Sequence, residues 1–343
     1  MVFRALMLGD MLCATPALRA LRHGWPRARI TLVGLPWARE LAARLPSIDH
    51  FEPFCGWPGF EEIAEPGADV AAAFIARQRE RADDLALQLH GSGEMSNLLV
   101  CAFGAARTVG SASARAWVPA HRRHDFVRWP ARGSEVERLL ALVDALGLER
   151  RGSEIDFPLY DADRAAARSL APAGRYAIVH PGAQWPSRRW PVERFAAVAD
   201  TLVAAGLEVV VTGTAAEAPI ARALLAAMQA HSHSHAHDVT GRTDLGAFGA
   251  LVERAAIVVC NDTGISHVAA ALRTPSVVIA SGSDVERWAP QDRALHRVLW
   301  KDVPCRPCTH RVCPLDEHRC ALGVGVGEVN DAVRVHLERW RLR

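Results

Sequence analysis

What this sequence lacks narrows its function first. No uninterrupted apolar run approaches the roughly 20 residues that span a bilayer, and no signal-peptide h-region with a cleavage site opens the chain. The expected location is therefore the cytosol, with any membrane contact peripheral. An excess of one charge is missing as well. Forty basic and 38 acidic residues leave a formal charge of +2, without the basic field that nucleic acid demands, so nucleic acid is not an expected partner. No G-x-G-x-x-G with a following acidic residue is present, which sets aside a nicotinamide dehydrogenase. Compositional bias is absent too: 343 residues at 50% hydrophobic and 23% charged describe a globular protein large enough for two domains.

Helical and strand patterns alternate along the chain. An amphipathic helix at 14–26, closed by Gly24-Trp25-Pro26, is followed by a strand at 28–34, a helix at 37–46 and a strand at 84–91. A helix at 97–105, a short strand at 106–110 and a helix at 134–149 complete this half. The polar stretch 150–174 has the character of a linker. The pattern then restarts with a strand at 176–182, a helix at 192–206, a strand at 207–213 and a helix at 218–229. A strand-turn-helix at 257–271 and a strand at 275–282 follow. Strands alternating with helices imply βαβ units and parallel sheets, hence an α/β protein of two doubly wound, Rossmann-like domains facing a cleft. The boundaries are placed at 1–160 and 161–325. Ligands are expected at the C-terminal ends of the strands. Only Met1-Val2-Phe3 precede the polar turn RALMLGD, so the first strand reads as truncated, or else the sheet begins one strand short.

Several strand-to-helix corners carry more polar chemistry than a turn requires. At LGDMLCATPALRALR, Gly9-Asp10 precedes a helix whose first turn includes Thr15-Pro16; Asp10 reads either as a cap or as a general base. HPGAQWPSRRWP follows a strand with His180 and Gly182, then Arg188, Arg189 and Trp190. The two arginines are either a diphosphate clamp or solvated surface charges. TGTAAEAP places Gly213 before Glu217, which would hold ribose hydroxyls or stand as a plain first-turn glutamate. In IVVCNDTGISHVAAA, Asp262 is able to cap the helix. Thr263 and the amides of Gly264 to Ser266 offer donors to an anion at the positive end of the helix dipole, and His267 adds an imidazole.

Three further clusters have structural or metal readings. HSHSHAH at 231–237 is read as a solvated loop before a strand-like DVTG, and the Asp161/Asp163 pair as helix capping rather than a metal-holding pair. CRPCTHRVCPLDEHRC spaces Cys305, Cys308, Cys313 and Cys320 as C-x2-C-x4-C-x6-C, a pattern open to a structural zinc.

Taken in order, LGDMLCATPALRALR, HPGAQWPSRRWP, VVVTGTAAE, TGRTDLGAF and above all NDTGISHVAAALRTP resemble glycosyltransferase family 9, the ADP-heptose:lipopolysaccharide heptosyltransferases. The resemblance spans nearly the whole chain. It implies a GT-B fold with the acceptor mainly on the first domain, the sugar nucleotide mainly on the second, and a last helix at 326–343 crossing back. On the acceptor side it points to Thr15, His90 and Ser92. It further implies inverting, metal-independent transfer with no required cofactor, by a monomer at the cytoplasmic face of the inner membrane. The donor would be a nucleoside-diphosphate sugar such as ADP-heptose, and the acceptor a lipid-linked oligosaccharide. The family's aspartate base maps onto Asp10, and its Lys-x-Trp onto Arg188-Arg189-Trp190, with arginine replacing lysine. The competing expectations are a GT-B enzyme for another nucleotide sugar, such as an epimerase of UDP-sugars, and a zinc-stabilised, non-catalytic binding protein.

Overall fold

Short aliphatic runs such as VVCN at 258–261 and SVVI at 276–279 are buried at every position, as strands covered by helices on both faces must be. The computed structural model describes residues 1–315 and 317–341. Asp316 within the cysteine-rich stretch and residues 342 and 343 of the expected last helix lie outside the described residues. The chain divides into a unit from Met1 to Pro158 and a second from Leu159 onward.

The first unit holds strands β1 (Val2–Phe3), β2 (Thr31–Gly34), β3 (His50–Pro53), β4 (Leu85–Gln88), β5 (Arg107–Ala112) and β6 (Phe126–Arg128). Its helices are α1 (Leu8–Cys13), α2 (Thr15–Gly24), α3 (Ala38–Arg44), α4 (Ala68–Glu80), α5 (Ser96–Ala102) and α6 (Glu135–Ala145). The sheet is all parallel in the order β3-β2-β1-β4-β5-β6, so the winding reverses between β1 and β4. The second unit repeats the plan with β7 (Tyr176–His180), β8 (Glu208–Val211), β9 (Ala236–Asp238), β10 (Val258–Asn261), β11 (Ser276–Ile279) and β12 (His296–Leu299). Its helices are α7 (Asp161–Leu170), α8 (Val192–Ala204), α9 (Ala218–Ala227), α10 (Ala230–His233) and α11 (Leu245–Arg254). They continue with α12 (Gly264–Ala271), α13 (Val285–Trp288), α14 (Arg319–Leu322) and α15 (Val326–Arg341). The order β12-β11-β10-β7-β8-β9 reverses between β7 and β10. Each reversal opens a crevice at the strands' C-terminal ends, where such sheets bind ligands.

The sheet does not begin a strand short. β1 has only two residues, yet it is central: Val2 pairs with Leu32 and Leu87, and Phe3 with Val33 and Gln88. Phe3 anchors it, packed edge-on against Phe54 and Phe60 at 5.2 and 5.9 Å. β3 carries no apolar alternation because an edge strand needs little burial, and its terminal proline is tolerated there. The stretch expected as a linker contains α7. Asp163 caps it by accepting from the Tyr160 amide at 2.8 Å, and Arg164 forks onto Glu253 of α11 at 2.8 Å through both nitrogens. The histidine tract is not a plain loop either. His235 and His237 engage the two oxygens of Glu208 on β8 at 3.0 and 2.8 Å beside edge strand β9, which runs into the first residue of DVTG. In α15, Val329, Val333 and Leu337 join the second unit's core with Phe195 and Leu202 of α8.

β1 is followed by Arg4, whose guanidinium has no exposed surface. Its Nε donates to the Asp10 carbonyl at 2.8 Å, Nη1 to the Leu89 carbonyl, and Nη2 reaches Glu135 of α6 at 3.1 Å, itself fully buried. Breaking a buried pair strands the remaining charge, which costs about 3–5 kcal/mol. Glu135→Ala is therefore expected to lower the first unit's stability by about that amount in urea unfolding; an unchanged midpoint would show that the Arg4 charge is compensated otherwise.

Candidate active site

In the first unit the reversal point gathers Asp10, His90 and Ser92. Asp10 lies inside α1 rather than in a turn. The N-cap positions of α1 and α2 are Met7 and Ala14, and Asp10 is the acidic residue in the first turn of α1. Its carboxylate is 22% exposed and 4.0 Å from Arg4 Nη2. His90 accepts from the Ala5 amide at 3.2 Å through Nδ1 and stacks on Phe3 at 5.2 Å. Burial, and then the charge of Arg4, push its pKa down to about 3, so the ring is neutral. The Ser92 hydroxyl faces Glu94 at 3.5 Å. Thr15 is a structural clasp: its hydroxyl donates to Leu12 O and accepts from the Asp156 amide, both at 2.8 Å.

In the second unit three loops meet at the ends of β7, β10 and β11. Asn261, with no exposed surface, ties two of them. Its Oδ1 accepts from the Trp190 amide at 2.9 Å, and Nδ2 donates to Pro181 O and Gly182 O at 2.8 and 3.2 Å. Trp190 is a core anchor, with Nε1 on Val324 O at 3.0 Å and its ring edge-on to Phe195. His180 closes β7 with Nδ1 2.9 Å from Thr212 Oγ1; burial lowers its pKa, partly offset by Glu217. Glu217 accepts from the Thr214 amide and hydroxyl through Oε2 at 2.8 and 3.0 Å. Its other oxygen would lie 2.2 Å from a Cβ on residue 182, so any side chain there would displace the Glu217 carboxylate. A Cβ on Gly213 would stand 3.3 Å from Glu217 Cβ.

At the opening of α12 the cap is Thr263, not Asp262, and its side chain caps nothing. The Ser266 amide and hydroxyl both bond Thr263 O, at 2.9 and 2.8 Å, so Ser266 is not among the open donors. The amides of Gly264 and Ile265 have no partner among the described residues and face the positive end of the helix dipole. His267 is buried, edge-on to Trp288 at 6.4 Å. Arg188 lies over Trp185 at 5.5 Å, and its Nη1 is buried without a hydrogen-bond partner among the described residues. Burial lowers its pKa, while Cys308, Asp262 and Cys320 act to raise it. Arg189 donates to Ala183 O at 2.8 Å.

Sequence reasoning missed Asn261 as a tie, and also Arg293 and Arg306. Burial lowers the pKa of both guanidinium groups, and the Asp262 carboxylate acts to raise it. Only charged residues set among apolar or proline-rich neighbours hinted at them. The structure gives the zinc expectation no support. Among the described residues no group of three or more His, Cys, Asp or Glu side chains is placed to hold a metal ion. Cys305, Cys308, Cys313 and Cys320 instead line a cavity of about 90 Å³ with His310 and His318. A wider cavity of about 700 Å³, lined by Trp25, Arg27, Arg29 and Arg81, opens at the N-terminal ends of β1, β2 and β4, away from either polar corner.

The chain is similar to two solved structures from E. coli. One is ADP-heptose lps heptosyltransferase II, with a TM-score of 0.77 at 22% identity, covering 99% of this chain and 98% of that one. The other is heptosyltransferase WaaC with ADP, with a TM-score of 0.70 at 18% identity, covering 98% of each chain. The fold is thus that of the GT-B glycosyltransferases. In sequence it is 27% identical over 298 residues, 82% of each chain, to lipopolysaccharide heptosyltransferase 2 of Escherichia coli K12. The model of glycosyltransferase family 9 (heptosyltransferase) matches residues 72–318, well over half of the chain, which belongs to that family. It is therefore an enzyme that transfers sugars, and the alternative of a non-catalytic binding protein is set aside.

The neutral His90 makes stability pH-dependent. An unfolded histidine titrates near 6.5 and this one near 3, so between those values the unfolded chain binds the extra proton. The stabilisation is complete above about pH 6.5 and is lost as pH falls toward about 3. His90→Gln, which keeps an acceptor but does not titrate, is expected to flatten the decline measured by denaturant unfolding at about pH 7 and pH 5, a difference of about 2 kcal/mol. Parallel declines would contradict a neutral His90.

Proposed function

We propose that this glycosyltransferase moves a heptose from ADP-heptose to a lipid-linked oligosaccharide of the lipopolysaccharide-core type. Transfer would invert the anomeric centre and need neither metal nor cofactor. The enzyme would work at the cytoplasmic face of the inner membrane. Similarity to lipopolysaccharide heptosyltransferase 2 and to an ADP-heptose lps heptosyltransferase II supports the donor and acceptor class. The observation that carries the donor reading is Arg188 Nη1. A cationic donor buried without a partner is costly unless an anion completes it, and Asp262, whose field it shares, lies two residues before the first open amide of α12.

Inverting displacement needs a base for the acceptor hydroxyl and stabilisation of charge developing on the departing diphosphate. Asp10 takes the hydroxyl proton as oxygen attacks the anomeric carbon opposite the diphosphate. Arg188 and the amides of Gly264 and Ile265 receive the negative charge as the bond to the diphosphate breaks. Glu217 Oε1, without a hydrogen-bond partner among the described residues, suits a ribose hydroxyl. Cations fixed in the fold do here what a metal would otherwise do.

Asp10→Asn is expected to fold and to bind ADP, yet to lose at least about 10²-fold in turnover; wild-type turnover would remove Asp10 as the base. In calorimetry Arg188→Ala should bind ADP about 10- to 100-fold more weakly, as loss of a charge-assisted contact implies, and the wild type should prefer ADP to UDP. Equal binding of the two nucleotides would count against the ADP-heptose donor.

A further inference from the structure

The turn that carries Arg188 is held from a segment more than a hundred residues away. Ser187, 2% exposed, donates its amide to Arg311 O at 3.0 Å and its hydroxyl to His310 O at 2.6 Å, and its carbonyl accepts from His318 Nε2 at 2.9 Å. Arg188 Nη2 donates to Cys308 O at 2.5 Å. The segment is itself pinned to the end of β11. The Cys308 amide donates to Gly282 O at 2.8 Å, and Arg306 reaches Ser281 O and Ala280 O at 2.9 and 3.0 Å. Gly282 is where the two meet: a Cβ there would stand 2.8 Å from Arg188 Nη1 and 2.9 Å from Cys308 Cβ.

We infer that the cysteine-rich segment 305–320 positions Arg188, and that Gly282 and His318 are positioning residues through which it acts. The inference rests on the reading of Arg188 as a diphosphate contact. A free arginine loses rotamer entropy when it grips an anion, and one already held along a single edge loses less. Cys308 fixes the Nη2 edge and Trp185 lies beneath the guanidinium plane. Glycine at 282 lets the Nη1 edge lie against the backbone, and Nη1 is the donor left over for a ligand. Cys308 thus acts through its carbonyl rather than its sulfur, while the four thiols line the small cavity beneath.

The test is ADP affinity by calorimetry for Gly282→Ala, His318→Ala, His318→Gln and Cys308→Ser, with the first two also made in an Arg188→Ala background. Gly282→Ala and His318→Ala are expected to weaken ADP about tenfold, in keeping with loss of one preorganised contact. His318→Gln, which keeps an N–H donor, should recover most of that loss. In the Arg188→Ala background neither change should weaken ADP further, which a merely structural effect would not reproduce. Cys308→Ser should bind ADP like the wild type. The positioning role is overturned if the losses persist undiminished without Arg188, or if Gly282→Ala and His318→Ala bind ADP normally while Arg188→Ala does not. It is also overturned if Cys308→Ser loses ADP affinity together with a stoichiometric zinc ion, because a metal would then order the segment. Should Gly282→Ala fail to fold, the two His318 variants decide alone. Wild-type ADP affinity in Arg188→Ala would instead sink the diphosphate reading itself.

Discussion

A guanidinium with no exposed surface cannot be left unpaired, and at Arg4 that constraint shapes the first unit. Its nitrogens draw the end of β1, the Asp10 carbonyl in α1, the Leu89 carbonyl after β4 and the Glu135 carboxylate of α6 to one point. A strand of two residues could not by itself fix the loop that follows it. The buried charge does so, and Asp10 is held in place as a by-product of the charge being satisfied. In the second unit Asn261 has the corresponding position at the end of a central strand, with three hydrogen bonds to the loop between β7 and α8.

Both anchors lie at the C-terminal edge of a parallel sheet, where strand carbonyls and helix amides run out of regular partners. Most of these groups are satisfied from within: Ser266 and Thr263 close on each other, Thr15 clasps Leu12 and Asp156, and Glu217 caps through Thr214. A few are left over, namely Arg188 Nη1, the amides of Gly264 and Ile265, and one oxygen of Glu217. The leftovers are what a diphosphate and a ribose require. Pairing most polar groups at the edge keeps the fold stable, and in the proposed reading the unpaired rest receive the nucleotide.

The cysteine-rich segment shows how one motif serves through its backbone as well as its side chains. Its spacing suggested a metal, but the structure gives its backbone carbonyls to Ser187 and Arg188. Spacing alone cannot separate these uses, since whether thiols converge depends on how the loop lies against β11. The same limit applies to the missed elements. β3 and β6 are edge strands with little apolar pattern to announce them, and α7 was hidden in a polar stretch whose helical face is mostly alanine.

The sequence by itself determined the alternation of strand and helix, hence two doubly wound units, and the corners at residues 10, 180–190, 213–217 and 261–267 where polar groups leave strands. Those signals depend on periodicity and turn chemistry, which act over a few residues. Only the tertiary structure decided which of those polar groups are already paired and which stand open. Arg4 meets Glu135 across 131 residues, and Arg188 meets Cys308 across 120. Such partners are chosen by packing and by the cost of burying a charge or donor alone.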